Sequence, residues 1–219
     1  MKLAMMHGTT FRSLLQRCEV LSTAGTEVCS SVQLREAMNV ILQIGNYINY
    51  GVKEPEGAVR GFAMESLESL ACFRVGSTTA LHILCLSIQR SKSNFMVELR
   101  ESLGHIREAA REKTTALCAS VEAYGREAAF VRRELGVMEA DSVGEERLRT
   151  LADELDREDE QLRHELARAS RLGHEMQLYL CVTSKDAALV PVELLFSKLA
   201  AFLDAVEATW WEVERRPAR

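Results

Sequence analysis

The sequence predicts an all-α protein, an elongated helical bundle with long antiparallel, coiled-coil-like helices. The composition is rich in alanine, leucine, glutamate and arginine, whereas aromatic residues make up only 6% and there are three prolines. Such a composition favours helices. Apolar residues also recur at helical spacing in several segments, and in two of these segments the repeat is seven residues. We therefore expect one helical domain over residues 1–219.

The first fifty residues predict three helical segments. Residues 11–21 and 27–32 have helical character, and Gly25 between them predicts a break because glycine is unfavourable inside a helix. Residues 33–50 carry a wide apolar face at helical spacing. That face consists of Leu34, Met38, Ile41, Leu42, Ile44 and Ile48. Gly51 is expected to end this helix, since glycine is common just past the last helical turn.

A loop and two shorter helices are expected next. Residues 52–60 contain a proline and a glycine, which are typical of a loop. Residues 62–71 predict a short helix. Its expected inward residues are Phe62, Leu67 and Leu70. Ser77 or Thr78 is expected to cap the following helix, residues 79–90.

The middle of the chain carries two seven-residue repeats, which predict a pair of long antiparallel helices over residues 94–181. The first repeat predicts one continuous helix over residues 94–138, about 65 Å long at about 1.5 Å per residue. Its seam is Phe95, Leu99, Leu103, Ile106, Ala110, Thr114, Leu117, Val121, Tyr124, Ala128, Val131, Leu135 and Met138. The second seam is Leu148, Leu155, Leu162, Ala169 and Met176. A turn at residues 141–145 favours antiparallel packing. Glu158 and Glu165 interrupt the row beside the second seam, so these carboxylates should be solvated or paired.

A closing helix is predicted over residues 191–215. Pro191 suits its first position, and the apolar residues that follow are again spaced as on one helical face. Those residues are Leu195, Leu199, Phe202, Leu203, Val206 and Trp210. Because Trp210 and Trp211 are adjacent, one indole should face inward and the other outward.

Several classes of function are disfavoured by the sequence. The six cysteines are scattered without metal-binding spacing, so we expect reduced and mostly buried thiols. The net charge of −5 lacks the basic bias of a nucleic-acid binder, and the apolar stretches are too short to cross a membrane. No nucleophile–base pair, phosphate loop or ligand cluster is evident, so we expect no enzyme activity, no catalytic residue, no cofactor and no metal.

Three histidines require comment. The pairs His164–Glu165 and His174–Glu175 lack the second histidine of the zinc-protease pattern, so a solvated helix face is expected. His82 lies in an apolar helix and is expected to be a hydrogen-bonded core histidine rather than a ligand.

The clearest functional signal is a polar motif at the end of an apolar helix. The motif reads Gly45-Asn46-Tyr47-Ile48-Asn49. Glycine and asparagine are unfavourable in a helix unless they are used. Glycine permits close approach of another chain, asparagine amides can pair with backbone groups, and tyrosine offers apolar area with a polar tip. We therefore predict a partner-binding site at Gly45, Asn46, Tyr47 and Asn49. The alternative is a helix C-cap in which the asparagines bind their own loop backbone.

This motif is followed by others in a fixed order, and together they resemble the C-terminal part of the formin homology 2 domain, the actin-assembly module of formins. Residues 45–49 match the Gly-Asn-Tyr/Phe-x-Asn motif of that family, and residues 57–67 match its glycine-bearing loop and helix start. Residues 79–84 and 202–206 are similar to two later family helices. The match extends over roughly residues 10–215.

The resemblance implies a partial domain that contains the helical bundle and the post, with the post-like region at about residues 10–90. We expect the family's lasso, linker and knob to lie outside this chain. In the family, the post receives the lasso of a second formin subunit in a head-to-tail dimer. The resemblance therefore assigns Gly45, Asn46, Tyr47 and Asn49 to lasso binding. Residues 72–76 stand where the family has a basic stretch, so Arg74 is the candidate actin contact.

Two functions remain open at this stage. One is an actin-binding formin module that contributes to filament nucleation and barbed-end elongation as part of a dimer, in the cytoplasm at the cytoskeleton. The other is a coiled-coil scaffold without actin activity. A scaffold would not need the polar tip at residues 45–49, whereas a post that receives a lasso would.

Overall fold

The computed structural model describes residues 2–52, 61, 64, 66–67, 70, 73–76, 78–138, 144–182 and 189–215. These ranges contain eight helices and one short antiparallel pair of strands, so the predicted all-α class is confirmed. The elements are α1 (Lys2–Ser30), α2 (Val32–Tyr50), β1 (Arg74–Val75), β2 (Thr78–Thr79), α3 (Ala80–Gln89), α4 (Phe95–Ser102), α5 (Ile106–Ala109), α6 (Thr114–Val137), α7 (Glu145–Tyr179) and α8 (Val192–Arg215).

The predicted break near Gly25 is wrong, because α1 is continuous from Lys2 to Ser30. Gly25 lies inside the helix and faces α7. A Cβ atom at this position would lie 3.3 Å from the carbonyl oxygen of Leu172. The glycine therefore permits close approach of two helices and does not interrupt α1.

The chain instead turns at Ser31, which separates α1 from α2. The Ser31 hydroxyl accepts a hydrogen bond from the Leu34 N–H at 3.1 Å and so caps α2. It also lies 2.8 Å from the Ser102 hydroxyl at the end of α4. The helix predicted over residues 33–50 is confirmed, with Leu34, Ala37 and Ile41 on its buried face.

The segment after α2 matches the predictions in part. Leu67 is buried as expected and Leu70 is half-buried, whereas Phe62 lies outside the described residues. Most of the predicted loop at residues 52–60, and Ser77, also lie outside them. Thr79, and not Thr78, caps α3, because its side chain accepts from the His82 N–H at 3.3 Å. Thr78 lies in β2, which the sequence did not predict.

The single helix predicted over residues 94–138 is wrong, because the structure divides it into α4, α5 and α6. The seam residues from Phe95 to Leu103 and Ile106 are nevertheless buried. Their seven-residue spacing thus reflects burial in a globular core, and the chain turns twice within it.

Contacts from α1 stabilise both turns. At the first turn, Glu27 accepts hydrogen bonds from the His105 backbone N–H at 3.0 Å and from its Nδ1 at 2.7 Å. At the second turn, the Arg17 Nε donates to Glu112 at 2.8 Å. These long-range partners explain why the breaks could not be seen in the local sequence.

Helix α7 packs along both α1 and α6. Its pairing with α6 is antiparallel, since Tyr124 bonds to Glu158 while Arg132, two turns further along α6, donates to Asp156 at 2.7 Å. Four of the five predicted seam residues of α7 are buried, namely Leu155, Leu162, Ala169 and Met176, and Leu148 is half-buried. Glu165 is paired as expected, with Arg168 at 3.3 Å. The predicted long pair is therefore one side of a three-helix arrangement.

The closing helix α8 packs against α3 and α5 and completes the core. All six residues predicted for its inner face are buried. Trp210 is 2% exposed, and its ring centroid lies 6.0 Å from that of Phe95, whereas Trp211 is 38% exposed. The expected inward and outward indoles are confirmed.

Two further features concern the described part of the chain. No described helix is both long and apolar enough to span a bilayer. Five described cysteines are free thiols, of which Cys18 and Cys85 are buried and Cys181 is exposed. Burial raises the pKa of the Cys18 thiol to about 11, with the nearby Glu165 adding to the rise, and burial raises the pKa of the Cys85 thiol to about 12.

Candidate partner-binding surface

The candidate surface lies at the C-terminal end of α2, which we call the α2 tip (residues 45–52). The first part of α2 is held against α3 and α4 by its buried face. The helix ends at Gly51, which adopts a φ of 72° and donates its backbone N–H to the Tyr47 carbonyl at 2.8 Å. A side chain would strain this conformation, so glycine fits the position. The predicted helix end is confirmed.

Large apolar side chains are exposed along the α2 tip. Tyr47 is 65% exposed and Val52 is 90% exposed, while Ile48 and Tyr50 are about half as exposed as Val52. Asn49 is exposed beside them. A cluster of exposed apolar side chains with some polar side chains among them is typical of protein-binding surfaces. Ile48, Tyr50 and Val52 were not predicted as site residues, although apolar residues on both sides of a helix-ending glycine are a usable sequence signal.

Asn46 has a different environment from the rest of the motif. It is 9% exposed and therefore lies on the inner side of α2, where it interacts within the chain. Gly45 is half-buried, and a Cβ atom there would meet no atom of the described residues within 4 Å. Packing within the described part of the chain therefore does not require glycine at position 45. The structure thus separates the four predicted residues into two exposed side chains, one buried amide and one glycine beside open space.

Arg74 lies on β1, in the short hairpin that leads into α3. β1 pairs with β2 through Arg74 and Thr79, and the turn contains Gly76 with a φ of 64°. The Ala80 N–H donates to the Phe73 carbonyl at 3.1 Å and connects the hairpin to the helix. The Arg74 side chain is exposed. The hairpin therefore presents a positive charge to solvent on an element separate from the α2 tip.

The histidine of α3 has the structural role that was predicted. The Thr79 N–H donates to His82 Nδ1 at 3.3 Å, and the Thr79 hydroxyl lies 2.7 Å from the same nitrogen. Because Nδ1 accepts from a backbone N–H, the ring proton belongs on Nε2, which lies 3.5 Å from a Glu212 carboxylate oxygen of α8. His82 therefore caps α3, whereas its Nε2 is buried without a hydrogen bond in the described part of the chain.

Two arginine pairs in the sequence, Arg132–Arg133 and Arg215–Arg216, have the charge to contact an acidic partner. Arg132 is occupied within the chain, since it donates to Asp153 at 2.7 Å and to Asp156. Those bonds raise its pKa further above the ordinary value for arginine. Arg215 donates to the Trp211 carbonyl at 2.9 Å, and Arg216 lies outside the described residues.

Comparison with known proteins identifies one family. The family model described as the Formin Homology 2 Domain matches residues 1–207. Formin-like protein 20 of Arabidopsis thaliana is 28% identical over 136 residues, which are 61% of this chain and 8% of that protein. Formin-like protein 12 of Oryza sativa subsp. japonica is 27% identical over 195 residues, 88% of this chain and 12% of that protein.

A shorter relative gives the same result. Formin-like protein 21b of Arabidopsis thaliana is 26% identical over 136 residues, 61% of this chain and 33% of that protein. The chain therefore spans a third or less of the length of these relatives.

Proposed function

This chain belongs to the Formin Homology 2 domain family, and we propose that it works as an actin-binding part of a dimeric actin-assembly module at the cytoskeleton. In this role the α2 tip receives a segment of a second formin subunit, and the bundle holds actin-contacting surfaces at a fixed separation. The dimer then contributes to filament nucleation and to elongation at the barbed end.

The observation that carries this proposal is the exposure of Tyr47 and Asn49 at the end of a helix whose first part packs against α3 and α4. Aromatic side chains that combine apolar area with a hydroxyl are enriched at protein interfaces. The open space beside Gly45 would let a partner backbone approach α2 closely. Asn46 would act differently from the other three, because its buried amide would support the helix end from inside.

The actin contact in this proposal is Arg74. Its charge is exposed on a short hairpin, and the start of α3 after it is capped and packed against α2 and α8. A cation at such a position can pair with an acidic surface and accelerate association. No covalent step is needed, because a rigid pair of subunits lowers the entropy loss of bringing actin monomers together.

The alternative is a helical scaffold without actin activity. The packing of α7 against α1 and α6 would serve a scaffold equally well. A scaffold, however, offers no reason for the exposed tyrosine and asparagine of the α2 tip. The two functions can be separated by a competition experiment.

In this experiment, excess chain is added to a complete formin homology 2 domain of established actin-assembly activity, and assembly of pyrene-labelled actin is followed. If the α2 tip captures the incoming segment of the complete domain, the chain inhibits assembly. The double variant Tyr47→Ala/Asn49→Ala should lose the inhibition. A matched control is Phe130→Ala/Val137→Ala, which removes two exposed side chains from α6 and should inhibit like the unmodified chain. Absence of inhibition by the unmodified chain would favour the scaffold.

A further inference from the structure

A cluster of metal-binding side chain types lies where the start of α1 meets α7, away from the α2 tip. His7 of α1 faces Glu154 and Glu158, which are one turn apart on α7. One ligand atom from each residue lies within 4.8 Å of the other two. The His7 Nδ1 and a Glu158 carboxylate oxygen are 3.1 Å apart. The two helices thus bring one imidazole and two carboxylates together.

These distances are compatible with a zinc ion. Zinc binds imidazole nitrogen and carboxylate oxygen at about 2.0–2.2 Å, so neighbouring ligand atoms of a tetrahedral site are about 3.4 Å apart. The His7–Glu158 separation is already close to that value, and a Glu154 carboxylate oxygen lies within 4.8 Å of both ligand atoms. Nitrogen and oxygen donors without a thiolate suit a borderline divalent ion such as zinc.

Glu154 is exposed and makes no hydrogen bond or ion pair among the described residues. Glu154 and Glu158 are four positions apart on one helix, so their negative charges repel each other. A cation between them would lower the electrostatic energy of this junction.

The position of Glu158 is supported by a second layer of contacts. The Tyr124 hydroxyl of α6 donates to the same Glu158 oxygen that faces His7. A hydrogen bond that orients a carboxylate ligand is a usual feature around protein metal ions.

We propose that His7, Glu154 and Glu158 form a binding site for a divalent transition-metal ion of the zinc type, which ties the start of α1 to α7. The ion would bridge two helices whose ligands are about 150 residues apart in sequence, and solvent would occupy the remaining coordination position. The predicted absence of a metal site was based on sequence spacing alone, and spacing cannot detect ligands on separate helices.

The test is isothermal titration of the whole 219-residue chain with zinc chloride in a buffer that does not coordinate zinc. We expect one saturable site, and Glu154→Gln should weaken it about tenfold or more. This variant is informative because Glu154 is exposed and makes no hydrogen bond or ion pair among the residues that the structure describes. His7→Ala should weaken binding at least as much. Zinc should also raise the melting temperature of the unmodified chain, and EDTA should reverse the rise.

Controls distinguish this site from other zinc ligands. His164→Ala and Glu160→Gln alter exposed residues of the same helix and should leave the affinity unchanged. Cys181→Ser removes the exposed thiol and should also leave it unchanged. The proposal is overturned if the chain shows no saturable binding, or if binding survives Glu154→Gln at full strength. It is equally overturned if binding disappears with Cys181→Ser.

Discussion

Gly25 of α1 lies directly against the backbone of Leu172 in α7, and this contact determines how closely the two longest described helices pack. A Cβ atom at position 25 would lie 3.3 Å from the Leu172 carbonyl oxygen and 3.6 Å from its Cβ. The neighbour is backbone, which cannot rotate away as a flexible side chain could. The glycine is therefore retained for packing, although it weakens the helix by itself.

Gly25→Ala should destabilise the chain by about 1–3 kcal/mol, because α1 and α7 must separate to accommodate the methyl group. The matched control is Gly45→Ala, where the new methyl group meets no atom within 4 Å among the residues that the structure describes. That change should stabilise α2 by about 0.5–1 kcal/mol through better helix propensity. Urea unfolding followed by circular dichroism measures both. Equal effects of the two substitutions would refute the packing role of Gly25.

The two adjacent tryptophans should differ sharply in their contribution to stability. Trp210→Ala removes a buried indole beside Phe95, so it should lower the free energy of unfolding by about 3–5 kcal/mol. Trp211→Ala alters a ring that is 38% exposed, so it should lower the free energy of unfolding by less, about 1–2 kcal/mol. Thermal or urea unfolding of the two variants measures this difference. A larger loss of stability in Trp211→Ala than in Trp210→Ala would show that α8 packs through its other face.

Stability should fall in alkaline solution because buried thiols resist ionisation. The Cys85 pKa is about 12 in the folded chain against an ordinary 9.0. Above pH 9 the unfolded chain loses this proton while the folded chain keeps it, so the unfolding free energy decreases as pH rises from 9 toward 12. One such thiol contributes a slope of at most about 1.4 kcal/mol per pH unit.

Urea unfolding at several pH values measures this slope. Cys85→Ala should make the slope shallower above pH 9 while buried Cys18 still contributes, whereas Cys181→Ala removes an exposed thiol and should leave the slope unchanged. The same stability loss in Cys85→Ala as in the unmodified chain would contradict the effect of burial.

Arg74→Ala should weaken binding to filamentous actin about two- to tenfold without altering the unfolding free energy. The side chain is exposed, and a single charged contact at the edge of an interface has an effect of this size. Co-sedimentation with filaments at low and physiological salt measures the change. Arg147→Ala, an exposed arginine on α7, is the control. Equal loss with both variants would indicate nonspecific attraction.

Helices α2, α7 and α8 were predictable because their buried faces follow the helical period over many residues. The helix breaks around Leu103 and Lys113 were not predictable. No proline interrupts the seam there, and the two turns are stabilised by Glu27 and Arg17 of α1. Gly25 led to the wrong prediction of a helix break. In the local sequence, a glycine that permits close helix packing cannot be distinguished from a glycine that ends a helix.

The sequence predicted where the candidate site lies, but not which of its side chains are exposed. The motif at residues 45–49 indicated the end of α2, but the sequence could not show that Asn46 faces inward while Tyr47 faces solvent. Whether a residue is exposed at the tip depends on α3 and α4, which pack against α2. The His7–Glu158 pair, 151 positions apart, was equally invisible in the sequence.

The most direct test of the account is the affinity of this chain for a fluorescently labelled, complete formin homology 2 domain, measured by anisotropy. The account predicts saturable binding that Tyr47→Ala/Asn49→Ala weakens about tenfold or more, while Phe130→Ala/Val137→Ala has no effect. If the tip variant binds as tightly as the unmodified chain, the α2 tip does not receive the partner subunit and the central claim is contradicted.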